Sequence, residues 1–275
     1  MGDCRYCGEP VSFMRSQHAE CREKHVTATT KIPLFFAQWF DSPLPPARFR
    51  ELAAEVARTH YVGDPKFQEL AKSGFGALIE KALADHLLTE AEEEKVIGLL
   101  REFNLTVSDL PPEIGEKFVK CAILRELDAG RAPERVNLIG NLPLNLGREE
   151  KIIWIFKNVT YFTTRSRTEY VGGSHGASIR LMKGVYYRVG AFKGERVRTE
   201  YLSEEGSGSL TITNKAIYFY ASPKVMKLNP KKIIAVETFS DGISITRDAA
   251  NAKPQTFKLD DPWFAANVIS KLDEL

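Results

Sequence analysis

Long apolar runs, net charge, scattered cysteines and catalytic motifs are all scarce in this 275-residue chain, and each shortage excludes a class of protein. No stretch of about 18 apolar residues occurs. The segment from Ile32 to Phe40 comes nearest, but Pro33 and Gln38 interrupt it and Asp41 ends it, so no transmembrane helix is expected. The start, Met1-Gly2-Asp3-Cys4, lacks the charged-then-apolar run of a secretory signal, which predicts a cytoplasmic protein. The 38 Lys and Arg nearly balance the 36 Asp and Glu, and a net charge of +2 does not make the whole chain a polyelectrolyte partner for nucleic acid.

Catalytic signatures are missing as well. There is no phosphate loop, dinucleotide fingerprint, pair of metal-binding histidines or nuclease-like carboxylate set. Ser174 beside His175, in the loop Val171-Gly172-Gly173-Ser174-His175-Gly176, is the one active-site lookalike. Sequence neighbours seldom reach triad geometry, and the strand-turn-helix setting of a nucleophile elbow is absent. A hairpin loop is expected there, and no enzyme activity.

What the chain does have is a concentration of metal ligands at its start. Of four cysteines, three lie within the first 25 residues beside two of the five histidines, whereas Cys121 stands alone in a helical apolar pattern and reads as a small core residue. The spacing Cys4-x2-Cys7-x13-Cys21-x3-His25 points to a metal rather than to disulfides. A Cys-x-x-Cys turn closed by Gly8 aims two thiolates at one point, and residues four apart on a helix share a face, so Cys21 and His25 complete a tetrahedron. His18, three residues before Cys21, shares that face and is the alternative fourth ligand. The segment resembles short zinc-knuckle and zinc-finger families. With all four positions filled by protein, the expected Zn2+ is structural, and its binding provides about 10 kcal/mol or more of folding free energy. From Met1 to Lys31 the basic residues Arg5, Arg15, Arg22, Lys24 and Lys31 are interleaved with acids, which favours contact with protein over nucleic acid.

With 43% hydrophobic residues, a chain of this length builds two or more cores. Residues 1–31 read as a zinc finger and 32–46 as a Pro/aromatic linker whose aromatics dock on the next domain. Residues 47–134 read as a helical domain, from apolar spacings of three and four. Thr89-Glu90-Ala91-Glu92 is a capping box that starts a helix running to about Phe103. The stretch Leu83 to Glu92 resembles the helix-turn-helix joint of EF-hand-like and tellurite-resistance-type helical domains. Leu87 and Leu88 occupy positions where calcium would need oxygen ligands, so no calcium is expected. Glu92, Glu93 and Glu94 read as a solvated helix start.

From residue 135 the texture turns to β-branched alternation. Seven strands are predicted, over 152–164, 177–189, 209–220, 224–228, 233–239, 243–247 and 255–259. A final helix from Pro262, preceded by the capping pair Asp260-Asp261, is predicted to bury Trp263, Phe264, Val268, Ile269 and Leu272. Gly208-Ser209-Leu210-Thr211-Ile212-Thr213-Asn214-Lys215-Ala216-Ile217-Tyr218-Phe219-Tyr220, with Val225 to Leu228 and Ile233 to Glu237, resembles the GRAM branch of the pleckstrin-homology-like superfold. That resemblance implies lipid or protein binding without catalysis.

From Arg135 onward Lys and Arg outnumber Asp and Glu by 21 to 14, so positive charge is segregated into this part. Arg165, Arg167, Arg180, Lys183, Arg188, Lys193, Arg196 and Arg198 are the candidates for an anion-facing patch. The expectation is a multi-domain α+β protein with an N-terminal zinc finger, a middle helical bundle and a C-terminal seven-stranded pleckstrin-homology-like barrel capped by an α-helix. Its expected role is that of a non-catalytic adaptor with a protein partner. The alternatives are anionic lipid at the basic β domain, or nucleic acid at the finger.

Overall fold

The computed structural model describes residues 2–12, 15–84, 88–136, 143–171, 177–182, 185–189, 195–249 and 252–275, and only the backbone within 168–199. The chain is α+β and forms two compact units, Met1–Arg131 and Ala132–Leu275. Among the described residues no helix is long and apolar enough to cross a membrane.

Among its described residues the first unit holds five α-helices: α1 (Ala19–Phe40), α2 (Pro46–Thr59), α3 (Asp64–Ala82), α4 (Glu90–Glu102) and α5 (Pro112–Asp128). Proline opens α2, α3 and α5 within their first two positions, where its missing N–H has no helical partner to lose. α4 starts at the predicted capping box, in which the Glu92 N–H donates to Thr89 Oγ1 and the Thr89 N–H to Glu92 Oε2.

The segment 32–46 is not a linker. Its first part continues α1, with Pro33 inside the helix, and Ile32, Phe36 and Trp39 lie in the core. An interior proline costs about 3 kcal/mol. Burying three large apolar side chains returns about 2 kcal/mol or more each, so burial wins. The Phe36 ring lies 5.1 Å from that of Phe49, 5.0 Å from Phe75 and 5.2 Å from Phe103. α3 meets it closely at Gly74, where an added Cβ would lie 2.4 Å from the ring. Lys95 closes the helix end by donating to the carbonyls of Phe40 at 2.6 Å and Ser42 at 3.0 Å.

Glu93, expected in solvent, is instead buried and paired with Arg125 of α5. Cys121 is half-buried against the core.

The second unit contains nine strands among its described residues. They are β1 (Ile152–Val171), β2 (Ala177–Met182), β3 (Val185–Val189), β4 (Glu195–Thr213), β5 (Ile217–Ala221), β6 (Lys224–Leu228), β7 (Ile233–Phe239), β8 (Gly242–Arg247) and β9 (Gln255–Lys258). Seven form one antiparallel sheet in the order β6-β5-β4-β1-β9-β8-β7, which leaves β6 and β7 as open edges where a closed barrel was expected. Among the described residues β2 and β3, predicted as a single strand, pair only with each other. The predicted strand 209–220 is the end of β4 and all of β5, reversed through Asn214–Ala216. There Thr213 Oγ1 accepts from the Ala216 N–H and donates to Glu150.

The last helix, α6 (Pro262–Lys271), starts where Asp261 Oδ1 accepts from the Phe264 N–H at 3.0 Å. Phe264, Val268, Ile269 and Leu272 enter the core of the second unit. Trp263 does not, being 59% exposed in the first turn of α6.

Candidate metal centre

The metal-ligating residues are brought together by a small hairpin and the first turn of α1. Residues Asp3 and Pro10 form an isolated antiparallel bridge, and the Gly8 N–H donates to the Cys4 carbonyl at 2.9 Å. Gly8 has φ +79, a left-handed conformation that glycine adopts without strain, so the turn can carry Cys4 and Cys7 on one side. α1 then begins at Ala19, which makes His18 its extended N-terminal neighbour and places Cys21 within the first turn.

Among the described residues Cys4, Cys7, His18 and Cys21 form one cluster, their donor atoms all within 4.8 Å of one another. Cys4 and Cys21 are buried, Cys7 and His18 half-buried. His18 Nδ1 lies 3.3 Å from Cys7 Sγ and 3.8 Å from Cys21 Sγ. Its Nε2 lies 3.2 Å from the Pro10 carbonyl oxygen, which can only accept, so Nε2 carries the proton and Nδ1 turns its lone pair to the sulfurs. A metal-binding histidine is usually oriented in this way, through a carbonyl on its far nitrogen.

The preferred fourth ligand of the sequence reading, His25, is not in this cluster; the alternative, His18, is. One turn beyond Cys21, His25 donates from Nδ1 to the Tyr61 carbonyl at 3.1 Å and packs its ring 4.8 Å from that of Tyr6. The choice depends on where α1 starts. With the backbone extended at His18, the imidazole folds back over the Cys4–Cys7 turn, while His25 is directed towards the turn between α2 and α3.

The electrostatics suit a cation. Burial opposes ionisation of Cys4, but the N–H groups of Cys7, His18 and Tyr6 outweigh it and hold the thiol at about 6. Burial and the neighbouring Cys7 sulfur push the Cys21 thiol up, against a hydrogen bond from the Tyr61 hydroxyl. Three sulfurs this close cannot all carry charge comfortably unless a cation lies between them. Tyr6 and Tyr61, which flank the cluster, carried no signal in the sequence.

The basic candidates fare differently. Arg165 is engaged with Glu205, its Nη2 2.7 Å from Oε1, and Thr163 donates to the same oxygen at 2.7 Å. Arg167 is exposed on β1 opposite Thr199. Arg180, Arg188, Arg196 and Arg198 have described backbones only, in β2, β3 and β4, and Lys183, Lys193, Ser174 and His175 lie outside the described residues.

A basic cavity of about 360 Å³ lies instead between β1, β4, β8 and β9, lined in part by Tyr161, Arg165, Glu205, Arg247, Lys253 and Gln255. Buried Gln255 Oε1 and Arg247 Nε have no hydrogen-bond partner among the described residues. Arg247 and Lys253 were missed because nothing in the sequence says that β8 and the approach to β9 converge on the middle of β1.

No known protein family, curated protein or solved structure matches the chain.

Proposed function

We propose that this chain is a non-catalytic adaptor or regulatory protein, with structural Zn2+ at Cys4, Cys7, His18 and Cys21 and a pleckstrin-homology-like, GRAM-like second unit. The observation that carries the reading is the set of three sulfurs and one imidazole nitrogen. Tetrahedral zinc, with Zn–S about 2.3 Å and Zn–N about 2.0 Å, needs ligand atoms about 3.5 to 3.8 Å apart. The separations of 3.3 and 3.8 Å at His18 Nδ1 fit that requirement after small adjustment. Bound there, zinc supplies charge neutralisation and cross-linking. The four protein ligands leave no position for a reactive water.

Support for the pleckstrin-homology-like assignment is the antiparallel sheet of seven strands followed by a single C-terminal helix whose apolar face enters its core. Metal analysis of the full chain tests the zinc. One zinc per chain is expected, lost in Cys4→Ser and His18→Ala and kept in His25→Ala and Cys121→Ser. Unchanged metal content in His18→Ala would defeat the ligand assignment. Crosslinking in the native cell tests the adaptor role, for which a recurrent protein partner is expected.

A second reading, peripheral binding of anionic lipid, is favoured by the orphaned buried atoms of Arg247 and Gln255 in the basic cavity. Sedimentation with anionic liposomes would weaken with salt and with Arg247→Gln. Equal sedimentation of wild type and Arg247→Gln would remove it.

A further inference from the structure

β7 is the last strand of its sheet, so among the described residues the N–H and C=O groups along its outer side have no ladder partner there. Natural edges are commonly blunted by lysine or proline. The other edge, β6, follows that practice with Lys224 and Lys227. β7, Ile-Ile-Ala-Val-Glu-Thr-Phe, has no proline and one charge, yet five of its seven residues are exposed.

The apolar groups around it are unusually bare: Ile234 is 66% exposed, Phe239 51% and Trp263 59%. A groove of about 470 Å³ runs between β7 and α6, lined in part by Ile234, Val236, Thr238, Trp263, Ala266 and Ser270. Leaving such side chains in water forgoes the favourable free energy of apolar burial.

The charges at its two ends identify the occupant. Lys231 and Lys232 immediately precede β7, Asp241 follows it, and all three are exposed. Asp241 also meets Lys258 at 3.0 Å, in a solvated pair that leaves its carboxylate open to a second cation. In an antiparallel pairing of β7 with its own copy, the basic end of each strand meets the acidic end of the other. A parallel pairing would set lysine against lysine.

The twofold that keeps both α6 helices on one face of the joined sheet pairs residues of equal parity, because side chains alternate along a strand. Centring on Val236 sets Ile234 opposite Thr238 and Ala235 opposite Glu237, and brings Lys231 to Asp241. Centring on Glu237 would oppose the two carboxylates.

We propose that β7 is a homodimer edge, where two copies of this chain pair antiparallel about Val236 to continue the sheet, covering Ile234 and Trp263. The pairing is isologous, as a closed dimer requires. It does not depend on the metal centre or on the adaptor reading.

Sedimentation velocity of the full chain across a wide concentration range tests it. A reversible dimer is expected, lost in Ile234→Lys. Lys231→Glu and Asp241→Lys should each weaken it by roughly tenfold, since each turns two attractive contacts into repulsive ones. The two single variants mixed in equal amounts should pair with each other at wild-type strength. Within one heterodimer the introduced glutamate meets the introduced lysine, and the remaining Asp241 meets the remaining Lys231. That restoration separates a docking effect from misfolding of either variant. A chain that is monomeric throughout, a dimer indifferent to Ile234→Lys, or a mixture that fails to pair would each overturn the proposal. A monomer that protects its β7 amides from exchange on adding an unrelated extended peptide would also overturn it, and would make the edge a site for a foreign strand.

Discussion

The backbone carbonyl of Tyr61 accepts from Nδ1 of His25 at 3.1 Å, while the hydroxyl of the same tyrosine hydrogen-bonds Cys21. Tyr61 lies in the turn between α2 and α3 with φ +59, a left-handed conformation that costs a non-glycine residue energy and is held by its surroundings. The histidine that does not join the cluster therefore helps to fix the tyrosine that supports it. Removing the hydroxyl in Tyr61→Phe leaves all four ligands but takes away a donor that favours the Cys21 thiolate. Groups in this outer position typically contribute 10- to 100-fold to metal affinity. Chelator competition should show metal held about tenfold more weakly in Tyr61→Phe than in wild type, at unchanged stoichiometry. Equal affinity would mean that the tyrosine only packs.

Because α1 begins at the cluster and ends deep in the helical core, metal loss has a limited reach. The first turns of α1 bury only Cys21 and Ala28, whereas Ile32, Phe36 and Trp39 hold the rest of the helix. A strong chelator should therefore raise amide exchange across residues 2–12 and the first turns of α1, leaving α3 and the second unit protected. Global unfolding of both units on chelation would contradict this division.

The metal site was legible because cysteine and histidine at such spacing have few other uses, but the choice between His18 and His25 turned on the backbone at one residue. Helix starts at Thr89 and Asp261 were legible because a cap is local chemistry. The fate of 32–46 was not. Its prolines read as punctuation, and the burial of Phe36 that overrides Pro33 comes from partners on α2, α3 and beyond α4. The β region gave its alternation but not its pairing. The turn at Asn214–Ala216 depends on Glu150, distant in sequence, and Trp263 was counted as core because apolar character alone does not reveal which side of α6 stays bare.

The contact between Gly74 and Phe36 sets a steric limit. A Cβ at 74 would lie 2.4 Å from a ring already enclosed by Phe49, Phe75 and Phe103. Overpacking of a filled core costs about 1 to 3 kcal/mol. Gly74→Ala should lower the urea-unfolding free energy by about that amount, despite alanine's better helix propensity. Phe36→Leu should destabilise alone, yet the double variant should lose less than the sum of the two, since leucine makes room for the methyl group. Strict additivity would show that the ring is not what limits position 74.

Glu205 gives the second unit a pH dependence of definite sign. The Thr163 hydroxyl and the Arg165 guanidinium both donate to its carboxylate and hold it below the usual carboxylate range. A carboxyl depressed in the folded state contributes stability that is fully present above its unfolded pKa and is lost as pH falls through the folded pKa. Stability of wild type should thus decline on acidification below the ordinary carboxylate range, and this part of the decline should be missing in Glu205→Gln. In the same variant Arg165 is released beside Arg247 and Lys253. If the basic cavity takes anions, phosphate should then raise the thermal midpoint of Glu205→Gln more than that of wild type. Denaturation curves of the two proteins, collected across acid pH and repeated with added phosphate, measure both effects. Parallel acid limbs would remove Glu205 as a source of the pH dependence, and equal phosphate shifts would show that the carboxylate does not hold Arg165 back from an anion.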